Sequence, residues 1–175
     1  MWMRDSFEHA LLGFRLWTTD GDGTLQSLVI GWDWQPGINR ASCAKGWYER
    51  KPKWQLPHRV PAKRCQCGFH AYHRLEGVRE HAAGLHRNLH LDCVVGAVAG
   101  WGNLQVHPDG FRSEYCQILA LSARSLDAAP GLFASAERYG VEVLSLPELA
   151  NPDSYQGVLP APQTPGSGPS IRREL

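Results

Sequence analysis

No run of apolar residues in this 175-residue chain approaches the ~18 to 20 needed to cross a bilayer, so a helical membrane span is excluded. The amino terminus, Met1-Trp2-Met3-Arg4-Asp5, also lacks the apolar stretch of about 7 to 15 residues that marks a secretory leader. The expected compartment is the cytosol. The signatures of common catalytic sites are missing as well: there is no P-loop, dinucleotide fingerprint, nucleophile elbow or His-Glu-x-x-His pair. Cysteine occurs five times, and an odd count without a secretion signal argues against a disulfide framework. What remains is a composition of 43% hydrophobic and 20% charged residues, which suits one folded domain.

Acidic residues are scarce in one place. Between Arg40 and Arg64 eight Lys and Arg residues face only Glu49, so this stretch carries about +7 while the rest of the chain carries about −6. Trp47, Tyr48 and Trp54 interleave there with Lys45, Arg50, Lys51 and Lys53. Aromatic faces beside cations can stack bases and neutralise phosphates, so these seven residues are candidates for contact with nucleic acid or with an acidic protein. The bland alternative is that the tryptophans fill the core of a small domain and the cations are merely solvated.

Regular structure is expected on both sides of this stretch. Apolar residues from Phe7 to Trp17 and from Leu25 to Ile30 flank Asp20-Gly21-Asp22-Gly23, which predicts a β-hairpin; too few acids follow for a calcium loop. Leu75, Val78, Ala82, Leu85 and Leu89 recur at helical spacing, predicting an amphipathic helix over 72–89. His86 and His90 on it have the i,i+4 spacing of a metal pair, but surface histidines are the commoner meaning. Cys93–Trp101, Leu104–His107 and Phe111–Leu121 predict a three-stranded antiparallel meander, curved by Gly96, Gly100 and Gly102. A short helix over 131–139, a strand over 141–144 and a helical turn over 146–150 follow. The expected architecture is one α+β domain over 1–150, a curved antiparallel sheet or small barrel with one main helix and a metal-pinned loop. Residues 151–175, rich in Pro and Gly, are expected to form a flexible tail.

The sharpest chemical signal is Cys65-Gln66-Cys67-Gly68-Phe69-His70. Two thiolates one residue apart can share a tetrahedral ion when an adjacent glycine lets the backbone turn, and soft sulfur selects zinc or iron. Cys43 and His58 complete the preferred set, a closed Cys₃His zinc site that staples the basic loop; His70 and His73 compete for the fourth place. Cys93 and Cys116 lie in apolar stretches and read as small core residues.

The run Cys65-x-Cys67-Gly68-x-His70-Ala71, with Val95-Gly96-Ala97-Val98, Trp101-Gly102, Val106-His107 and Gly110-Phe111-Arg112, resembles a family of uncharacterised bacterial, largely actinobacterial, proteins. The likeness spans roughly residues 30 to 150 and includes an upstream Ala-x-Cys, here Ala41-Ser42-Cys43. It implies that Cys43 belongs with Cys65 and Cys67, and it implies no activity.

A non-catalytic, zinc-stabilised binding or adaptor module is therefore the expected function. The rival is an enzyme that uses His107, Arg112 and Cys116, with Asp109 and Glu114 in the same hairpin, or an open metal site.

Overall fold

The computed structural model describes residues 10–28, 31–43, 58–89, 93–122 and 131–156. Its centre is a long hairpin, β5 (Val94–His107) and β6 (Gly110–Ser122), closed by the turn at Pro108-Asp109. Residues 94–101 of β5 and 118–121 of β6 are continuous apolar runs because both of their faces are covered there. On β5, Val95, Ala97 and Ala99 point into one core and Val94 and Val98 into the other. The expected meander of three strands is in fact two. Gly102, at φ 83, forms a bulge between Trp101 and Leu104 inside β5, so the glycine there bends one strand and does not end it.

Strand β1 (Leu11–Thr19) runs antiparallel along β5 from Leu11 to Trp17 and turns into the two-residue β2 (Leu25–Gln26). The turn is held by the Asp20 carboxylate, which accepts from the backbone N–H groups of Asp22 and Thr24 at 3.0 and 2.8 Å. The sequence predicted a turn here, and the Asp20 side chain is what closes it. Strands β3 (Ile38–Arg40) and β4 (Phe69–Tyr72) both add to β6. Because β4 also meets β1, at the single pair Phe14 and Tyr72, the strands β1, β5, β6 and β4 close a ring of hydrogen-bonded neighbours that is not a barrel. Inside it lies Phe111, 2% exposed. Gly13, Gly100 and Ala71 crowd around its ring, and a Cβ added at Gly13 would sit 2.6 Å from it.

The first helix, α1 (Leu75–Leu89), buries Leu75, Val78 and Ala82 against Phe14 and Leu16. It starts three residues later than the periodicity predicted because Tyr72 belongs to β4. Helix α2 (Leu132–Tyr139) covers the other core with Leu132, Ala136 and Tyr139 and stops at Gly140, whose left-handed backbone (φ 64) lets its N–H cap the helix. The chain then enters β7 (Glu142–Val143), which lies parallel to β6 and makes the seven-stranded sheet mixed. Helix α3 (Leu146–Ala150) begins at a capping box of Ser145 and Glu148. A 3₁₀ turn over Pro152–Tyr155 follows, and Tyr155 is buried with its hydroxyl donating to the Leu149 carbonyl at 2.7 Å. Packed structure thus reaches past 150, and the rest of the expected tail, 157–175, lies outside the described residues.

Trp34 is fully buried, stacks edge-on against Trp17 at 5.3 Å and donates to Ser27 Oγ at 3.0 Å; Trp47 and Trp54, to which the core-filling alternative applied, lie outside the described residues. Cys93 and Cys116 are likewise core residues. No described helix is long and apolar enough to cross a membrane.

Candidate metal centre

The site is assembled at the edge of the sheet, where β3 ends and β4 begins. Ala41 continues β3 by donating its N–H to the Glu114 carbonyl at 2.8 Å, and this places Cys43 two residues further on. Cys65 and Cys67 lie just before β4. Gly68 between them and Phe69 takes φ 109, a region L side chains avoid, and a Cβ there would press on Pro61 at 3.0 Å. The glycine expected to turn the backbone next to the thiols does so.

Arg112 holds the loop from beneath. It sits on β6 opposite His70, and its guanidinium donates to the carbonyls of Cys65 and Cys67, the latter at 3.2 Å, and to Gln105 Oε1. Asn103 Nδ2 donates to the Pro61 carbonyl at 2.9 Å, and Cys65 N–H donates to the Ala62 carbonyl at 3.0 Å. Glu114 Oε1 and Oε2 pair with Arg40 and Arg59 at 3.3 and 3.7 Å, so the cations flanking Cys43 and His58 share one acid.

The result brings Cys43, His58, Cys65 and Cys67 together: one ligand atom from each lies within 4.8 Å of all the others. Cys43 Sγ and Cys65 Sγ are 3.6 Å apart, and His58 Nε2 and Cys67 Sγ 3.3 Å. Sulfurs at ~2.3 Å from one tetrahedral ion stand about 3.8 Å apart, so these separations suit four ligands around a single centre. The cluster could therefore hold a metal ion. Burial first, and then the neighbouring Cys65 and Cys43, push the Cys67 thiol up to about 11. A cation among the sulfurs reverses that preference, because thiolate is the form that binds.

The competing histidines are occupied elsewhere. His70 Nε2 meets the Gln66 carbonyl at 2.8 Å, and His73 Nε2 meets the His107 carbonyl at 3.0 Å. His86 is exposed, and its partner in the i,i+4 pair, His90, lies outside the described residues.

The hairpin cluster does not assemble into a reactive site. Cys116 pairs across the sheet with Gly100, near the middle of the ladder, and His107 with Gly110 at its turn end, which keeps the two apart. Burial pushes the Cys116 thiol up to about 12, so it is not a nucleophile near neutral pH. Arg112 and Glu114 are engaged with the metal-site loop and its flanking cations. Spacing in the sequence put these side chains close together; the strand length keeps them apart.

Lys45, Trp47, Tyr48, Arg50, Lys51, Lys53 and Trp54 all lie outside the described residues. Sequence reasoning missed the role of Arg112 in positioning the cysteines, since that role depends on which residue of β6 faces β4. The chain matches no family model, no curated protein and no solved structure, so the chemistry of the site must be read from its own geometry.

Proposed function

We propose that Cys43, His58, Cys65 and Cys67 hold a structural zinc ion and that the protein is a non-catalytic module binding single-stranded nucleic acid through the segment between Cys43 and His58. The observation that carries the metal reading is the convergence of three thiols and one imidazole within 4.8 Å. Soft donors favour zinc over calcium or magnesium, and four protein ligands leave no open position for a substrate. The partner reading is supported by sequence and by where the ligands fall. Residues 44–57 run between two ligands, Cys43 and His58, so one ion would tie both ends of a segment bearing Lys45, Arg50, Lys51 and Lys53 against Glu49 alone.

Two measurements on the full chain test this. Elemental analysis should find about one zinc per chain, lost in Cys65→Ser. Labelled oligo-dT should bind with an affinity that falls with salt, at a logarithmic slope of about −0.7 per phosphate neutralised. Replacing Lys45, Arg50, Lys51 and Lys53 by Gln should flatten that slope. Protein without stoichiometric metal would overturn the zinc reading. Zinc-loaded protein that ignores oligo-dT at low salt but binds polyglutamate would transfer the segment to an acidic protein partner.

A further inference from the structure

A cleft of about 550 Å³ shares a wall with the cysteine cluster and extends away from it. It opens where β4 leaves β1. The two strands meet only at Phe14 and Tyr72, after which β1 stays on β5 and β4 stays on β6. Arg15 spans the gap: Nη1 donates to the His70 carbonyl at 2.6 Å and Nη2 to Ser27 Oγ at 3.2 Å. The cleft wall around it is mostly apolar and includes Leu28, Trp32 and Phe69.

Arg15 is an unusual cation. Its Nε is shut off from solvent and donates to no group among the described residues. Two of its five N–H donors make the bonds just given. No described carboxylate lies within ion-pair distance of it, and the face of Trp34 stands 5.0 Å from the guanidinium carbon. Burial lowers it to about 10, which still leaves it charged at neutral pH. The side chain as a whole is half-buried, and a charge partly withdrawn from water without a counter-ion is costly. The rest of the lining does not supply one readily: Arg40 and Arg112 add positive charge, and Asp109 is the one carboxylate among the described lining residues.

Size, apolar walls and an unmatched guanidinium are the attributes of a small-ligand site. We propose that this cleft binds a small carboxylate with a flat apolar body, its anion held by Arg15 and its body lying between Leu28, Trp32 and Phe69. Cys43, Cys65 and Cys67 form one wall of the cleft, but the contacts proposed for the ligand are to Arg15, Leu28, Trp32 and Phe69 and do not require an ion in the cluster. It gives the module a second ligand class, distinct from the polyanion of the basic segment.

The test compares 2-naphthoate with the neutral 2-naphthalenemethanol on the full chain, by tryptophan fluorescence and by the NMR resonance of Arg15 Nε–H. Naphthoate should bind at least about tenfold more tightly than the alcohol and should shift the Arg15 resonance. In Arg15→Gln the preference should collapse toward one while the alcohol binds as before, an outcome that a purely structural role for Arg15 would not produce. Leu28→Trp keeps the charge but narrows the cleft, so it should weaken both probes; it serves if Arg15→Gln fails to fold. Equal affinity of the wild type for the two probes, a preference that survives in Arg15→Gln, or no binding of either at about 1 mM would each overturn the proposal.

Discussion

A thiol buried in a hydrophobic core without a compensating charge stays protonated and unreactive, whereas a thiol at a loop edge is open to reagent unless something holds it. The five cysteines divide along that line. Cys93 and Cys116 are 4% and 1% exposed, and burial pushes Cys116 up to about 12; Cys43, Cys65 and Cys67 are only half-buried. Native protein as purified should therefore react slowly with iodoacetamide at every cysteine, and addition of a strong chelator should release three thiols. Mass spectrometry should place the label on Cys43, Cys65 and Cys67. Rapid labelling before chelation would mean that no metal protects them. The four members of the cluster were legible in the sequence because thiols are rare in polar loops and a Cys-x-Cys-Gly run has few other uses. Arg112 and Arg15 were not. Each acts by donating to groups 45 or more residues away, His70, Cys65 and Cys67, and only strand register decides that.

Elements with a strictly local cause were the legible ones. Helix α1 follows from its apolar spacing, α2 from the glycines at its two ends, and the first turn from Asp20. Strands β3 and β4 were hidden because they are three and four residues long and have no pattern of their own; they exist because β6 offers them an edge. The bulge that Gly102 suggested is present, but the strand was also read as ending at Trp101, because a glycine in an apolar run reads equally as a break or a bend. The glycines now make separate predictions. At Gly100 a Cβ would collide with Phe111, and it would stand 2.9 Å from Ser113 Oγ. Gly100→Ala should cost ~1 to 3 kcal/mol through overpacking, a drop of several degrees in melting temperature. Gly84 lies within α1 with nothing near its absent Cβ. There the same substitution should add up to about 1 kcal/mol, because alanine is the better helix former. Calorimetry on the two variants checks the opposite signs, and a Gly100→Ala protein as stable as wild type would show that Phe111 has room the ring does not display.

At the scale of the molecule, the α+β class and the curved sheet were readable from composition and alternation, while the closing of β1, β5, β6 and β4 into a ring was not, since it depends on contacts between distant segments. The ring also determines how far the loss of metal should be felt. Structural zinc contributes on the order of 10 kcal/mol in small domains, comparable with the ~5 to 15 kcal/mol that stabilises a whole protein, so chelation could in principle unfold everything. Here the ligands reach only the end of β3, the 58–68 stretch and the start of β4. The core that joins β1, β5 and β6, with Trp17, Val98 and Leu121 fully buried, is built without them. Chelation should therefore speed amide exchange in β3 and in residues 65–72, while the amides pairing β5 with β6 between Val95 and Leu121 keep most of their protection. Hydrogen exchange followed by mass spectrometry distinguishes the outcomes directly. Uniform loss of protection across both regions would make the ion a requirement of the whole fold, and unchanged exchange near Cys43 and Cys65 would remove it from the fold altogether.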